Sequence, residues 1–579
     1  MTYRAPLRSL ALAMQTAGHG ALVGHAFADL DQDTVNAVLE AAGAFAENEL
    51  APLNRQGDKV GASYENGKVT AAPGFAEAYQ AFVAQGWNSL SAEPEFGGQG
   101  LTKAMELAVF EMIHAANMAF GLCPMLTQGA IEALALHGTE KQKRLVLPKL
   151  VSGEWTGTMN LTEPQAGTDL ASVTTRAEPD GKGGYKIYGQ KIYITWGDHD
   201  VAENICHLVL ARTPDAPPGV KGISLFLATK KIVDDEGRVG SLNDLRPGSI
   251  EHKLGIHGSP TCVMLFEGAQ AELVGDLNSG IAHMFVMMNA ARLQVGVQGV
   301  AIAERAFQQA LAFAQERKQG RTAWGGDTIY GHPDIRRMLT LMRAKIEAAR
   351  AICLSTGVQS DLARLAQTEA ERAAARARQE LLTPIAKAWS TDMGVEVASL
   401  GVQIHGGMGF IEDTGAAQHY RDARIAPIYE GTNGIQAMDL AGRKLGMREG
   451  GVMLDICSEI AATVVNLRAV PGLDLVANRL EAALGALERA THWMLAHKGP
   501  DALSGATAYL KLAGDVIGGD MLAKQALATA SGDDAWSKSK SALARIYASQ
   551  VLTLASGLAD AVTEGGADLE ALSAASLAD

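Results

Sequence analysis

The hydrophobic period of this chain changes twice, and those two changes limit the folds open to it. From residue 33 to about 151, apolar residues recur at i, i+3 and i+4, as in VNAVLEAAGAFAENELAPL, FAEAYQAFVAQGW and TKAMELAVFEMIHAANMAF. That spacing predicts amphipathic helices, punctuated by Pro52 and by a glycine-rich turn at 95–100. Near Trp155 the pattern becomes short β-branched or aromatic runs: WTGTMNLTE, VTTRAE, YKIYGQKIYIT, NICHLVLART, GISLFLATKK and TCVMLFEG. Parted by Gly, Pro and Asp, they predict an antiparallel β-domain of roughly 120 residues. After about Asp276 the helical period returns and persists to the end, through PDIRRMLTLMRAKIEAARAICLSTG and EAERAAARARQELLTPIAKAWSTDMGVEVASLGVQIHG. The expected organisation is an α+β multidomain chain. It has an N-terminal arm (1–34), a helical domain (35–153), a middle β-domain (154–275), a helical bundle (276–450) and a helical C-terminal extension (451–579).

Composition narrows the function classes. Sixty-four acidic against fifty basic residues, a net charge of −14, leave no clustered cationic footprint for nucleic acid. Five scattered cysteines without a CxxC predict reduced, buried thiols in a cytosolic protein. No N-terminal signal pattern and no run of about 18 apolar residues is read from the sequence, which predicts a soluble chain with no membrane span.

Four stretches carry chemistry. In 421–445, RDARIAPIYEGTNGIQAMDLAGRKL, one carboxylate, Glu430, stands between an aromatic and a glycine, with Ile435, Met438, Leu440 and Ala441 following at helix-like spacing. It reads either as a helix-start Glu at the positive end of the dipole or as a desolvated general base. Residues 158–169, TMNLTEPQAGTD, begin as a strand and end in a polar loop. Its N–H groups and hydroxyls could hold a heteroaromatic edge or a phosphate, or simply turn a hairpin. Tyr193-Ile194-Thr195 offers an aromatic and a hydroxyl at a strand end. QIHGGMGF (403–410) is a glycine-rich link where a backbone can approach a pyrophosphate closely. Asp198-His199-Asp200 lacks further ligands at suitable spacing and reads as a loop; no metal is expected.

In order along the chain, ELAPLNRQGD, EPEFGGQGL, HGTEKQKRLVLPKLVSGEW, MNLTEPQAGTDL, GQKIYIT, ERKQG, QIHGGMGF and IYEGTNGIQ resemble the segments of the acyl-CoA dehydrogenase family from about residue 35 to 450. The resemblance implies that family's fold: a helical N-terminal domain, a β-barrel-like middle domain and a C-terminal four-helix bundle, here with a helical extension. It implies FAD as cofactor and an acyl-CoA as substrate.

By position it makes Glu430 the catalytic base. Met159, Leu161, Thr162, Gly167, Thr168, Tyr193 and Thr195 would line the flavin. Arg317 and Gln319 would reach the FAD of a neighbouring subunit, Gln403, Gly406 and Gly407 would meet the FAD pyrophosphate and adenosine, and Thr432 would lie by the same cofactor. Thr168, Asn289, Arg292 and Gly431 would contact the substrate. The chain departs from the family pattern at Tyr193 (usually Trp), Trp196 (usually Asn), Gln165 (usually Gly) and Asn289 (usually Asp).

The YRAPLR opening, the WGDHD and MMNAARLQVG segments and the block after the bundle resemble the subgroup acting on 3-(methylthio)propanoyl-CoA. The implied reaction is α,β-dehydrogenation to a trans-2-enoyl-CoA, with an electron-transfer flavoprotein as acceptor. An oxygen-using acyl-CoA oxidase shares the scaffold. A DNA-associated alkylation-response flavoprotein would want a basic C-terminal region, whereas 451–579 carries 15 acidic against 9 basic residues. Apolar spacing in 460–467, 473–487 and 551–561 must be buried somewhere. Burial on the outer face of the chain's own bundle predicts a homodimer.

Overall fold

The computed structural model describes residues 3–22 and 30–578, so the expected arm at 1–34 lies partly outside the described residues. The chain divides into two compact units. One is residues 41–294 with the short stretch before Pro6; the other joins 6–40 to 295–579.

The helices of the first half are α1 (Leu7–Thr16), α2 (Gln32–Phe45), α3 (Ala51–Val60), α4 (Phe75–Ala84), α5 (Lys103–Ala116), α6 (Met118–His137) and α7 (Glu140–Ser152). Pro52 does not separate two helices as the pattern suggested. A π-turn at Ala46–Leu50 leads straight into α3, with the proline in its first turn, where a missing N–H removes no bond. The long apolar run after Thr102, by contrast, is two helices. Asn117 breaks it with extended dihedrals (φ −156°, ψ 93°) and caps α6 by accepting from the Phe120 N–H at 3.1 Å. Thr102 caps α5, and Thr139 with Gln142 forms a capping box on α7.

Strands follow: β1 (Ser63–Glu65) and β2 (Lys68–Thr70) form a small hairpin, then β3 (Trp155–Asn160), β4 (Arg176–Pro179), β5 (Tyr185–Thr195), β6 (Asn204–Arg212), β7 (Ile223–Thr229), β8 (Lys231–Val233), β9 (Val239–Leu242), β10 (Leu245–Ile250) and β11 (Thr261–Val274). The expected antiparallel sheet is in fact mixed. β3 runs parallel to β6 from Trp155↔Asn204 to Asn160↔Val209, and β4 touches β6 in parallel at Arg176↔Arg212. Local alternation marks a strand but not its partner, so the sequence could not reveal this. The pairings β5–β4–β6–β7–β11–β5 close on themselves, which makes the domain barrel-like, with β10 and β3 attached to β11 and β6. Ile187, Ile194, Val209, Phe226, Met264 and Phe266 fill its core. β3 lies so close to α6 that a Cβ on Gly157 would stand 2.4 Å from that of Ala130.

The second unit is helical: the later part of α8 (Gly280–Glu316), then α9 (Pro333–Leu365), α10 (Glu369–His405), α11 (Ala416–Ala423) and α12 (Asn433–Asp439). Glycines let α8 and α10 approach closely: a Cβ on Gly296 or Gly299 would meet the carbonyl of Ala386 or Ser390 at 2.6 and 2.4 Å. The extension is α13 (Gly451–Arg468), α14 (Asp474–Ala496), α15 (Pro500–Ala528), α16 (Ala535–Gln550) and α17 (Ala555–Thr563), with two short helices after it. Its apolar stripes are buried as expected: Ile460, Leu467, Leu473, Leu480, Leu487, Val551 and Ala559 are all inside. α15 packs on α9, α10 and α12, with Trp389 of α10 against Gly514 and its indole N–H donating to Asp515 at 2.9 Å. A buried ionic cluster ties α1, α8, α9 and α16 together. Glu347 accepts from Ser9 at 2.8 Å and from Lys540 at 3.0 Å, and Glu304 from Arg343 and Arg350 at 2.7 and 2.8 Å.

Two runs, Met118–His137 and Met447–Arg468, are long and apolar enough to cross a membrane, contrary to the sequence expectation. Their apolarity comes partly from alanines set among the larger apolar side chains. α6 is mostly buried inside its unit. In the second run Arg448 and Glu449 are left-handed (φ 50° and 56°), so its α-helix begins only at Gly451. The five cysteines are free and buried.

Candidate active site

The expected site residues fall on both units. In the first, Met159 and Leu161 leave the end of β3, and Thr162 to Thr168 form the following loop. What fixes this loop is a buried ion pair that no motif reading singled out. Lys191, wholly buried on β5, donates to the Leu161 carbonyl at 2.9 Å and to Glu163 at 2.8 Å. Glu163 also accepts from the backbone of Thr174 and Thr175 at 2.8 and 3.0 Å. Burial pushes this carboxyl up, but Lys191 and those donors outweigh it and hold Glu163 at about 2. The Ile192 N–H then donates to the Thr162 carbonyl at 2.9 Å, so β5 and the loop form one surface.

Tyr193 and Thr195 stand on that surface because β5 bulges. Between Met264↔Lys191 and Cys262↔Ile194, two residues of β5 oppose one of β11. Tyr193 takes the left-handed φ of 60° there and is 61% exposed, a costly posture for an aromatic in a strand. Trp196, also left-handed at φ 52°, goes the other way. It is buried, stacked on Phe75 at 6.4 Å, and its N–H donates to the Ala119 carbonyl at 3.2 Å. Thus Trp196 is a pillar and Tyr193 is the exposed face. Gly167 and Thr168 are exposed at the loop tip, with open space around Gly167. Asn289 is exposed on α8; Arg292 is buried, 3.5 Å from the Asn289 amide oxygen and over the Phe285 ring. Asp198, His199 and Asp200 serve structure. Asp198 pairs with Lys230 at 2.5 Å, His199 shares a hydrogen bond with Thr156 at 2.8 Å, and Asp200 accepts from the Ala71 N–H at 3.0 Å. No three potential metal ligands cluster among the described residues.

In the second unit Glu430 and Gly431 are consecutive left-handed residues, φ 56° and 84°. A non-glycine residue in that region costs on the order of 1–2 kcal/mol and persists only when its surroundings enforce it. The enforcement is visible. Tyr429 hydrogen-bonds Gln298 of α8, and the Asn433 N–H closes the turn on the Pro427 carbonyl at 3.0 Å. Gln436, buried on α12, donates to the Glu430 and Gly431 carbonyls at 3.3 and 3.5 Å. Lys387 of α10 donates to the Gly431 carbonyl and to the Asn433 amide oxygen, each at 2.8 Å. Glu430 itself is half-buried, and Thr432 caps α12 by accepting from the Ile435 N–H at 3.3 Å. Glu430 does precede a helix, as one of the two readings has it, and it does so on a strained and braced turn. Lys387, Gln436 and Asn433 escaped the sequence reading; a lysine inside a helical pattern looks like any surface lysine.

Gln403, Gly406 and Gly407 close α10. Gly406 is left-handed at φ 60°, and a Cβ on either glycine would meet nothing within 4 Å. Arg317 and Gln319 follow α8 and are exposed. Their loop is folded back by Ile329 N–H to the Arg317 carbonyl at 2.7 Å, and by His332 Nε2 with the Gln319 carbonyl at 2.9 Å. These residues fit the implied flavin. One unit offers an aromatic face, hydroxyls and backbone beside an open loop, suited to a heteroaromatic ring. The other offers open glycine backbone and an exposed guanidinium, suited to a pyrophosphate.

Comparison with known proteins agrees. The signature for the acyl-CoA dehydrogenase N-terminal domain matches residues 32–154, the middle domain 158–269 and the C-terminal domain 278–445. An "Acetyl-CoA dehydrogenase C-terminal like" signature matches 456–573. 3-Methylmercaptopropionyl-CoA dehydrogenase of Ruegeria pomeroyi is 47% identical over 98% of this chain and 99% of its own. Two solved structures share the fold at 21% identity. Caenorhabditis elegans ACDH-11 in complex with C11-CoA has a TM-score of 0.77 over 95% of this chain and 92% of that one. An acyl-CoA dehydrogenase of Bacillus anthracis complexed with FAD has 0.75 over 94% and 91%. The strained carboxylate turn, the braced strand-and-loop surface and the helical extension accordingly have a common explanation: this chain belongs to the acyl-CoA dehydrogenase family.

Proposed function

We propose that Glu430 is the base of this FAD-dependent acyl-CoA dehydrogenase and that its substrate is a short thioether acyl-CoA, 3-(methylthio)propanoyl-CoA. The observation that carries the first part is the Glu430–Gly431 turn: strain at a single carboxylate, held by buried donors, is what a preorganised base requires. An α-C–H beside a thioester is weakly acidic. Glu430, desolvated by bound substrate, takes that proton, while the Glu430 N–H donates to the thioester oxygen as charge builds on it. The chemistry FAD supplies when bound is acceptance of the hydride from Cβ, which leaves a trans-2-enoyl-CoA. Met159, Leu161, Thr162, Gly167, Thr168, Tyr193 and Thr195 would face the flavin ring. Gln403, Gly406 and Gly407 would hold the pyrophosphate and adenosine, with Thr432 beside the same cofactor. Thr168, Asn289, Arg292 and Gly431 would orient the acyl-CoA. The substrate is supported by the name of the Ruegeria pomeroyi relative. Its test is a panel of acyl-CoAs with an artificial electron acceptor. kcat/KM should peak at the thioether or at short and medium chains; a steady rise to long chains would overturn the assignment. Release of peroxide with acyl-CoA as sole reductant would mark an oxidase instead of an enzyme served by an electron-transfer flavoprotein.

The assembly is a homodimer in the cytoplasm, in this reading. The free thiols suit a reducing compartment, and the extension lies on the bundle helices a second dimer would need. Arg317 and Gln319 then serve the FAD of the partner copy. Arg317→Ala should lower flavin content and subunit association together, because a guanidinium grips a phosphate bidentately. Light scattering of the native protein should give twice the 60.8 kDa chain mass. A stable tetramer, or a fully flavinated dimeric Arg317→Ala variant, would contradict it.

A further inference from the structure

We infer that Lys387 is a positioning residue for the catalytic turn: its ammonium, braced through Asn433 and Asp392, holds the Gly431 carbonyl inward and so keeps Glu430 in its left-handed posture. The inference rests on the reading of Glu430 as base. Lys387 lies in the middle of α10 with no exposed surface. An ammonium taken from water loses several kcal/mol of solvation even after relaxation, so it stays only where strong acceptors receive it. Two of its acceptors belong to the turn: the Gly431 carbonyl and the Asn433 side chain, both at 2.8 Å. The Gly431 carbonyl is the lever of the turn. Glycine tolerates either orientation of its peptide, so nothing in residue 431 itself keeps that carbonyl pointing into the bundle. If the peptide rotated, Glu430 would be released toward the ordinary right-handed region and its carboxylate would swing away.

Asn433 makes the brace rigid. While its amide oxygen accepts from Lys387, its amide nitrogen donates to the Ala388 carbonyl at 3.1 Å, to Thr391 at 3.0 Å and to Asp392 at 2.8 Å. Thr391 in turn donates to the Lys387 carbonyl at 2.8 Å. One face of α10, from Lys387 to Asp392, thus grips the first residue of α12, and Asn433 stands between the cation and the carboxylate. The outer end of the brace, Asp392 with Asn433, lines a cavity of about 330 Å³ that Lys511 and Asp515 of α15 also line. Lys387 thus donates directly to the turn's own atoms, the Gly431 carbonyl and the Asn433 amide oxygen.

The test uses FAD-loaded Lys387→Met, nearly isosteric and uncharged, beside Lys387→Arg, Asn433→Ala and Glu430→Gln. Lys387→Met should fold, keep its flavin and bind acyl-CoA within about threefold of wild type. Its anaerobic flavin reduction should slow roughly 10²-fold, the usual loss when a reacting group is misplaced by about an ångström. Reduction should also become more sensitive to deuterium at the substrate α-carbon. Lys387→Arg should recover part of the rate, and Asn433→Ala should fall in the same direction. Lys387→Met reducing its flavin within about threefold of wild type while Glu430→Gln is inactive would overturn this inference alone; an active Glu430→Gln would overturn the reading beneath it. A Lys387→Met protein that fails to fold or loses flavin would make the lysine a scaffold of the bundle, also contradicting the proposal. So would wild-type rates in Asn433→Ala.

Discussion

Glu430→Gln should purify yellow, correctly folded and able to bind acyl-CoA, yet reduce its flavin about 10²–10⁴-fold more slowly than wild type. The substitution keeps the shape and the backbone N–H that would face the thioester oxygen, and removes only the proton acceptor. The turn should survive it. Its hydrogen bonds run through the Glu430 and Gly431 carbonyls, the Asn433 side chain and the Tyr429 hydroxyl. Rapid-mixing absorbance of the flavin band, with flavin content measured beforehand, separates lost chemistry from lost cofactor. Reduction within about threefold of wild type would show that the proton leaves to some other group.

Glu347→Leu should produce a large stability loss from the removal of one buried charge. Glu347 is fully buried on α9, where it accepts from Ser9 of α1 and Lys540 of α16 and lies 3.7–3.9 Å from Arg343 and Arg350. Burial pushes its carboxyl up, but Lys540 and the two arginines outweigh that and hold it below the usual range. Removing it leaves a buried ammonium without its acceptor and concentrates positive charge beside Arg350. Breaking such a group costs about 3–5 kcal/mol, a fall in melting temperature of about 2–4 °C for a chain of 579 residues. Because the cluster joins the first helix and the extension to the bundle, limited proteolysis should reach α16 sooner in the variant. A melting temperature within about 1 °C of wild type would mean that the cluster is neutral to folding.

How much of this was legible in the residues varied with the range of the interaction that decides each feature. The helix-to-strand-to-helix succession is local, and periodicity carried it. Glu430 stands out because its neighbours form a distinctive string, though that string does not tell of its left-handed backbone, and the apolar stripes of 460–467 and 473–487 announced their own burial. Other features depend on distant partners. The parallel β3–β6 pairing follows from the return of the chain after β5, which alternation within WTGTMN cannot encode. The break at Asn117 rests on one side chain choosing the Phe120 N–H, inside an apolar pattern that continues on both sides. The helix running into Pro52 depends on a π-turn that moves the missing donor to a position where none is needed. Lys191 and Lys387 were invisible for one reason: a lysine is normally solvated, and only the fold supplies the acceptors that let it be buried.

The central step is the transfer of a proton and a hydride from an acyl-CoA within this protein. The direct measurement is anaerobic mixing of the flavinated wild-type enzyme with 3-(methylthio)propanoyl-CoA, following flavin absorbance and recovering the thioester. The account predicts bleaching of the flavin band with one equivalent of the trans-2-enoyl-CoA formed per flavin. A flavin that stays oxidised with this and every other acyl-CoA offered, while the protein is folded and fully loaded, would contradict it.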